Sequence, residues 1–419
     1  PKEALKAIEN EVKEILEKTK DLKAKIGSIA VKLAKHVGRI DFMRAAKSSI
    51  MRTKVLSLIS GWIPKKASEG LKEVIVKVTS GAAYIRFEEP KLSEKVPVHV
   101  KLYPLFRSFD LFTRLQGVPD YYEINPTPLY TALFIIMYGF MFGDLGEAAV
   151  LLVMGILFLR IKSRFLGISP ATWHRLGVIV IASSISAMVF GYLYGVAFLL
   201  EAWKPVFISP IHDINGIIVI ALTFGVIQII LALILNMVNN LIRRDYWHAV
   251  FSWKGLLGLL YYLSGLKIAI DFISKGMRIT VLGSPETLPF VWFSLAMLGV
   301  VFISPAIRAV LTKEGHIGEK LMDGLSEVIE MFFSYLTNSI SYIRLGAFAI
   351  AHEALGVAAE MLSHMWGFAV AYTFMNAIGV IIEGMAAGIQ SIRLMYYEFS
   401  TKFFSGTGIK YKPLKLKAR

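Results

Sequence analysis

Long apolar runs fill the chain from about residue 123 onward, and they restrict its fold more than any other feature. A helix needs about 20 mostly apolar residues to cross roughly 30 Å of hydrocarbon. Hydrophobic residues make up 55% of the 419 residues. The pattern predicts a mainly α-helical protein in which residues 123–419 form a polytopic membrane bundle of about eight transmembrane helices.

The last two predicted spans are unusually long, at about 36–40 residues each. As continuous helices they would extend about 60 Å, which is about twice the hydrocarbon thickness. They must therefore tilt steeply, kink or protrude from the membrane, whereas the first two spans are short. The eight predicted spans cover approximately residues 127–143, 146–160, 176–200, 214–241, 247–274, 288–310, 324–363 and 367–402.

The net charge is +15, and the positive residues follow the predicted topology. Loops after the even-numbered spans and the C-terminal tail are rich in Lys and Arg, whereas the opposite loops carry few. Cytoplasmic loops have this excess, so we place both termini in the cytoplasm and expect no nucleic-acid partner. The chain has no cysteine, which excludes disulfides and thiolate metal sites, and we expect no metal and no cofactor.

The first 122 residues are rich in Lys and Glu and differ in character from the rest. Residues 1–42 are predicted to form a coiled-coil helix, because apolar residues recur at spacings of three and four over about six heptads. The alternative is a helix that packs onto its own domain. The apolar seam consists of Leu5, Ile8, Val12, Ile15, Leu22, Ile26, Ile29, Leu33 and Ile40.

Residues 43–122 are predicted to form a small, partial α+β lobe on the cytoplasmic side. It contains a strand-like run over 55–64, a helix over 67–80 with Ser68 as its N-cap, and a second strand over 81–90. The lobe carries no phosphate-binding loop and no Cys or His cluster. We therefore predict a mechanical or adhesive role for it and no catalytic site.

Two arginines, Arg344 and Arg393, lie inside the last two apolar spans. Arginine cannot lose its proton to escape a membrane, and a charge near the bilayer centre costs at least about 2.5–3.5 kcal/mol. The two residues are predicted to lie at comparable depths in consecutive, antiparallel spans. We infer that their charge attracts, blocks or discharges an ion that passes by.

Polar residues approach the arginines from the cytoplasmic side on the seventh span and from the outer side on the eighth. This arrangement predicts two aqueous half-channels that stop short of each other, with fixed positive charge between them. The alternative is a buried salt bridge, which is expensive, between Glu383 and Arg393 or between Glu353 and an arginine. We interpret Asp144, Glu147 and Asp271 as structural or interfacial. The predicted half-channel residues are Glu330, Ser334, Asn338, His352, Glu353, Glu360, Glu383 and Gln390.

Several motifs resemble the a subunit (subunit I) of archaeal A-type and V-type rotary ATPases. The segments SYIRL (341–345) and AHE (351–353) resemble the seventh span of that family. The segments IEGM (382–385), QSIRL (390–394) and EFSTKF (398–403) resemble the eighth. Further matching segments are GWIP (61–64), NPTP (125–128), FGDLG (142–146) and GVIQ (225–228).

The resemblance covers nearly the whole chain and favours a prokaryotic member. The stretch GAFA (346–349) differs from the Trp-containing version typical of eukaryotic members, which favours a subunit from the cell membrane of an archaeon or bacterium. The chain begins at Pro1 without an initiator Met. It resembles the family without the first half of the N-terminal domain, so we expect it to be the remainder of a longer protein.

The resemblance implies a stator that couples proton or Na⁺ translocation to rotation of a c/K rotor ring and has no catalytic site of its own. Arg344 and Arg393 match the family's paired arginines. Positions that line the family's half-channels correspond to Glu330, His352, Glu383 and Gln390. The implied partners are the c/K ring, the peripheral-stalk E/G (H) subunits, the central-stalk subunits d/C, the ATP-hydrolysing A/B head and the lipid membrane.

The rival hypothesis is a secondary transporter whose arginines bind an anionic substrate. Many transporters of that kind contain internal inverted repeats, whereas the last two spans have no counterparts in the first half of this chain. The long heptad arm also has no obvious use in a transporter.

Overall fold

The computed structural model describes residues 25–26, 50–52, 57–92, 94–164, 167–276, 278–312 and 316–413. The chain divides into two compact units, Pro1–Pro97 with Lys410–Arg419, and Val98–Ile409. The predicted coiled coil lies outside the described residues, apart from Lys25 and Ile26, which are helical. The predicted division into a coiled-coil helix, a lobe and a membrane domain stays a prediction.

The first unit contains an antiparallel hairpin of β1 (Ile50–Arg52) and β2 (Ser57–Ile59). The strand predicted over 55–64 is therefore much shorter than expected. The second predicted strand, over 81–90, is wrong, because those residues run without a hydrogen-bonded strand neighbour in the described chain. Strand propensity alone does not form a strand where no partner strand lies alongside.

The helix predicted after the hairpin is α1 (Ser68–Thr79). The N-cap prediction is wrong, because Ala67 occupies the cap position and makes no side-chain cap bond. Ser68 instead lies in the first turn, and its Oγ donates to the carbonyl of Lys65 at 2.7 Å. The reason is that a 3₁₀ turn over Lys65–Ala67 precedes α1 directly, so the chain is already helical before Ser68.

The second unit is a helical bundle, which confirms the predicted fold class. Six of its described helical stretches are long and apolar enough to cross a membrane. The first two predicted spans form helices of 15 and 16 residues, which at 1.5 Å per residue are about 22–24 Å long. The six long stretches are Pro170–Tyr194, Ile214–Ile242, Tyr246–Ser274, Leu288–Thr312, Ile317–Trp366 and Phe368–Lys402.

Helices and short strands succeed one another as follows. The helices are α2 (Pro104–Gln116), α3 (Thr127–Met141), α4 (Leu145–Arg160), α5 (Pro170–Tyr194), α6 (Ile214–Ile242), α7 (Tyr246–Phe251), α8 (Leu256–Ser274), α9 (Leu288–Thr312), α10 (Ile317–Ser341), α11 (Ile343–Trp366), α12 (Phe368–Ile378) and α13 (Gly384–Arg393). The strands are β3 (Pro97–Val98), β4 (Val196–Ala197), β5 (Leu200–Glu201) and β6 (Ile409–Lys410).

The third predicted span, 176–200, is shifted relative to the helix that forms, α5. Ser169 caps this helix by accepting a hydrogen bond from the backbone N–H of Thr172, and Pro170 suits the first turn because its missing N–H needs no partner there. Gly195 ends the helix with a φ of 84°, a conformation that glycine adopts without strain. The residues at the two ends therefore determine the bounds of α5, although the apolar run continues past the end of the helix.

Asp144 fixes the start of α4. Its carboxylate accepts backbone N–H bonds from Glu147 at 2.8 Å, Phe198 at 3.0 Å and Leu199 at 2.8 Å. Phe198 and Leu199 form the turn between β4 and β5 with φ values of 54° and 61°, which are unfavourable for residues with a Cβ. One carboxylate therefore caps a helix and holds a strained turn, as the structural interpretation of Asp144 predicts.

Gly225 allows α6 to approach the junction between α10 and α11. A Cβ on Gly225 would lie 2.3 Å from the Cγ atom of Tyr342. Tyr342 is completely buried, and its hydroxyl donates to Gln228 Oε1 at 2.9 Å. Because Gly225 has no side chain, Tyr342 can pack against α6 at the point where α10 ends and α11 begins.

Replacing Gly225 by valine should destabilise the bundle, because overpacking a rigid contact typically costs about 1–3 kcal/mol. We expect a lower midpoint of thermal unfolding for Gly225→Val in detergent. The matched control is Gly265→Val, since nothing lies within 4 Å of a Cβ added at Gly265. Equal midpoints for the two variants would contradict this account of the contact.

Replacing Asp144 by alanine should leave three backbone N–H groups without their acceptor. Hydrogen bonds to a charged group contribute about 1.5–3 kcal/mol each, so we expect a loss of at least about 3 kcal/mol in unfolding free energy. Asp144→Asn keeps one acceptor oxygen and should lose less. Thermal unfolding of both variants measures the difference, and an alanine variant as stable as the original chain would refute the assigned role.

Candidate functional site

The last two long helical stretches run antiparallel. Their side chains meet at three positions along their length, which we call levels, and these levels define the register of the two stretches. Ser334 on α10 contacts Lys402, the last residue of the final stretch. At the other end, His352 on α11 bonds to Glu383. Since residue numbers rise along one stretch and fall along the other between these contacts, the two stretches are antiparallel.

Arg344 and Arg393 form the middle level of this register. Arg344 lies ten residues from Ser334 and eight from His352, whereas Arg393 lies nine from Lys402 and ten from Glu383. At 1.5 Å per residue these separations are about 12–15 Å. The two guanidinium groups are electrostatic neighbours. The two guanidinium groups therefore lie between the level of Ser334 and Lys402 and the level of His352 and Glu383.

Neither arginine forms a salt bridge within the described part of the chain, so the alternative of a Glu383–Arg393 pair does not describe this structure. Arg344 is half-buried, and its Nη1 atom is enclosed without a hydrogen-bond partner. Arg393 is exposed on the side of the bundle. Glu398 is the acidic side chain that both arginines face, and it lies beside Ser341. The pair thus keeps an excess of positive charge.

The helices depart from α-helical geometry next to these residues. Helix α10 ends and α11 begins at Tyr342, two residues before Arg344. The final stretch contains π-helical turns over Gly379–Glu383 and Leu394–Phe399. One of them ends at Glu383 and the other begins after Arg393. Such π-turns occur frequently at functional sites.

A buried cluster surrounds His352, which is 2% exposed. Its Nδ1 atom lies 2.7 Å from Glu383 Oε2, and its Nε2 atom lies 3.7 Å from Asp144 Oδ2. Glu147 lies close by and is completely buried, with no hydrogen-bond partner for either carboxylate oxygen among the described residues. One histidine and three carboxylates therefore meet at this level.

Glu147 also touches the backbone of the first π-helical turn. A Cβ on Gly379 would lie 2.4 Å from Glu147 Oε1. Beside Glu147 lies a cavity of about 210 Å³ whose lining includes Phe198 and Asn376. Sequence reasoning left Asp144 and Glu147 out of the site. The signal that could have included them is a pair of carboxylates three residues apart within an apolar run.

The opposite level consists of polar residues on α10. Glu330 is exposed, whereas Ser334 and Asn338 are half-buried. The Nδ2 atom of Asn338 donates to Ser334 Oγ at 3.2 Å, and Lys402 donates to the same oxygen. The structure therefore places these three predicted residues along one face, and it adds Lys402, which the prediction did not include.

Three other predicted residues take no part in the contacts described above around His352 and Ser334. Glu353 accepts hydrogen bonds from the backbone N–H of Ile211 at 2.7 Å and from Ser209 Oγ at 3.3 Å, so it holds the loop before α6. Glu360 is exposed near the end of α11. Gln390 is half-buried near the arginines, and its Oε1 atom has no partner in the described chain.

The side chains at these levels include groups that are chemically suited to proton exchange. In the part of the chain that the structure describes, no cluster of His, Asp or Glu side chains, including the one around His352, could hold a metal ion. Carboxyl and imidazole groups exchange protons readily, and they lie on both sides of fixed positive charge.

Known proteins match the chain over most of its length. The A-type ATP synthase subunit I of Pyrococcus horikoshii is 27% identical, over 88% of this chain and 55% of the relative. That of Methanocaldococcus jannaschii is 24% identical, over 99% and 64%. The V-type ATP synthase subunit I of Borreliella burgdorferi is 22% identical, over 86% and 60%.

The chain therefore spans about 55–64% of the length of these relatives. The family model described as the V-type ATPase 116kDa subunit family matches residues 2–195 and 309–416. These two segments make up more than half of the chain, and they contain both arginines and the residues around His352. The chain belongs to the V-type ATPase 116 kDa subunit family.

Proposed function

We propose that this chain is the membrane stator of a rotary A/V-type ATP synthase, in which Arg344 and Arg393 separate two ion half-channels. One observation carries the proposal. The two guanidinium groups are electrostatic neighbours without a salt-bridge partner in the described residues, between the buried cluster around His352 and the polar face of α10. An isolated binding site would neutralise such charges, because an unpaired charge in the membrane is costly.

The counter-ion that the arginines lack is supplied in this proposal by a carboxylate on a rotating c/K ring. The ring carboxylate crosses the lipid in its neutral form, since a charged form would be expelled. When it reaches the arginines, the nearby cations stabilise its ionised form and it releases its proton. The membrane potential, at about 2.3 kcal/mol per charge per 100 mV, then biases the direction of rotation.

The outer half-channel of this proposal ends at His352 and Glu383. Their contact at 2.7 Å, with Asp144 and Glu147 beside it, gives a buried group of residues that hold and transfer protons. The distribution of Lys and Arg in the loops assigns this level to the outer side.

The cytoplasmic half-channel follows the polar face of α10 from Glu330 through Ser334 and Asn338 to Ser341. Glu330 is exposed, so it exchanges protons with water, whereas the next two residues are half-buried. Glu398 completes the path beside Ser341 and the arginines. This path and the outer one end at different levels of the same pair of helices.

The chain in this proposal binds no nucleotide and works within a larger assembly in the cell membrane of an archaeon or bacterium. Its relatives are named as subunits of ATP synthases, which supports a head of A/B subunits, central-stalk subunits d/C and a peripheral stalk of E/G (H) subunits as partners. Both termini lie in the cytoplasm.

Replacing Arg344 by alanine should abolish ATP-driven proton pumping while the complex still assembles. The reason is that the ring carboxylate loses the cation that favours its ionisation. Pumping is measured as acidification of liposomes that contain the purified complex, and assembly by co-purification of the ATP-hydrolysing subunits. Arg393→Ala should behave in the same way.

The matched control is Arg160→Ala, because Arg160 is exposed at the end of α4, away from the pair. This variant should pump normally. Pumping that persisted in both Arg344→Ala and Arg393→Ala would refute the proposed function, whichever partners co-purified.

Replacing Glu383 by glutamine should slow proton exchange on the outer side. The amide keeps the size of the side chain and a hydrogen bond to His352, but an amide does not take up a proton near neutral pH. Loss of a proton-transfer group typically costs about 100-fold in rate. We expect at least about a tenfold loss of ATP-driven pumping. Glu286→Gln is the control, since Glu286 is an exposed partner of Lys275. Unchanged pumping in Glu383→Gln would exclude Glu383 from the path.

A further inference from the structure

A cavity of about 380 Å³ lies between α7, α9 and α10, near the end of α9 and the start of α10. Pockets that bind small ligands typically enclose about 300–1,000 Å³, so the cavity is large enough for a polar headgroup. None of the residues assigned to the two half-channels lines it. Its lining includes Trp247, Ser304, Arg308, Lys320 and Glu327.

Arg308 is held in this cavity by a chain of two contacts. Its Nη1 atom lies 2.8 Å from Nε2 of His248, and Nδ1 of His248 lies 2.6 Å from Oδ2 of Asp245. Since a guanidinium group only donates hydrogen bonds, the imidazole accepts at Nε2 and carries its proton at Nδ1. The carboxylate therefore orients the histidine, and the histidine orients the arginine.

Arg308 keeps donors for a ligand. A guanidinium group carries five N–H donors, and within the described residues this side chain bonds to His248 alone. No carboxylate of the described chain forms a salt bridge with it. Lys320 differs, because it pairs with Asp323 at 2.9 Å. Arg308 is therefore the cation of this cavity that no described carboxylate contacts directly.

A buried hydroxyl lies on the same wall of the cavity. Ser304 lines the cavity one helical turn before Arg308 and is 4% exposed. Its hydroxyl makes no hydrogen bond within the described residues, and a buried polar group without a partner is costly. Because residues four apart share one face of a helix, Ser304 and Arg308 offer polar contacts to the same bound group.

The close packing of α9 and α10 sets the depth of the charges. A Cβ on Gly324 would meet the carbonyl oxygen of Phe302, so these two residues lie at the same level. Arg308 lies about 9 Å from this contact towards the end of α9, and Lys320 lies about 6 Å from it in the same direction. Glu327 lies about 4–5 Å on the other side. The cations are therefore nearest the helix ends, where a negative group is favoured.

This end of the cavity lies at the edge of the membrane. Helix α9 has 25 residues and is about 37 Å long, which exceeds the hydrocarbon thickness of about 30 Å. Arg308 is about 6 Å from its end at Thr312. Trp247 lines the cavity beside it, and tryptophan is enriched at membrane–water interfaces. Ile303 and Ile307, which precede Ser304 and Arg308 along α9, are exposed. A polar wall thus borders an apolar, lipid-facing one.

We propose that this cavity binds the phosphate headgroup of a membrane phospholipid, with the phosphodiester at Arg308 and Ser304 and the tails along Ile303 and Ile307. Basic pockets between transmembrane helices bind lipid headgroups, and a guanidinium group forms paired hydrogen bonds with phosphate. The carboxylate of Glu327 repels a phosphate from the deeper part of the cavity. The proposal goes beyond the stator function and does not depend on it.

Native mass spectrometry of the purified full chain in detergent tests the proposal, with phosphatidylglycerol added to lipid-free protein. Arg308→Gln should raise the dissociation constant of the tightest bound lipid at least about tenfold, because it removes a charged hydrogen-bond donor. Arg308→Lys keeps the charge and should retain most of the affinity. Arg160→Gln is the matched control, since Arg160 is an exposed cation at the end of α4 that does not line the cavity.

Two further probes separate the phosphate from the tails. Diacylglycerol with the same tails lacks the phosphate, so it should bind at least about tenfold more weakly than phosphatidylglycerol. Inorganic phosphate lacks the tails and should not displace phosphatidylglycerol at an equal concentration. Ser304→Ala removes only the buried hydroxyl and should weaken lipid binding about threefold.

Equal dissociation constants for Arg308→Gln and the original chain would overturn the proposal. Equal binding of diacylglycerol and phosphatidylglycerol would also overturn it, since the lipid would then be held by its tails alone. Displacement by inorganic phosphate at an equal concentration would show a site for free anions instead. If Arg308→Gln fails to fold, Ser304→Ala decides, because an unchanged affinity in that variant refutes the assigned contact.

Discussion

The structure is organised around two arginine charges that no carboxylate of the described chain neutralises through a salt bridge. In a medium of low dielectric constant, such charges are tolerated only where other groups hold them in place or where a partner supplies the opposite charge. The half-buried position of Arg344, next to the break at Tyr342, meets the first requirement. The exposed position of Arg393 on the side of the bundle leaves room for the second.

Under the proposed function, the same constraint accounts for the length of the two C-terminal stretches, which is greater than a bilayer requires. Three levels of contact must be placed along each of them, at Ser334 with Lys402, at the arginines, and at His352 with Glu383. Adjacent levels are separated by about 12–15 Å. Two helices in fixed antiparallel register hold all three levels, whereas residues in separate loops would not keep these spacings.

Much of this arrangement follows from the sequence, because it depends on apolar run length and on charges that are rare within such runs. The arginines, the six long spans and the polar face of α10 are all visible in that way. The ends of α5 were missed because Ser169 and Gly195 decide them locally. Asp144 and Glu147 could not be predicted as site residues, because their contact with His352 joins segments about 200 residues apart. Lys402 could not be predicted either, because its aromatic partners, Trp253 and Tyr335, come from two other helical stretches.

The contact between Glu147 and Gly379 has a consequence for how such proteins vary. The carboxylate occupies the place that a side chain at position 379 would need, at 2.4 Å from its first carbon. A larger residue at 379 therefore requires a shorter one at 147, and a long acidic residue at 147 requires glycine at 379. The two positions, 232 residues apart in the chain, should change together among related sequences, so paired substitution would identify this junction where no coordinates exist.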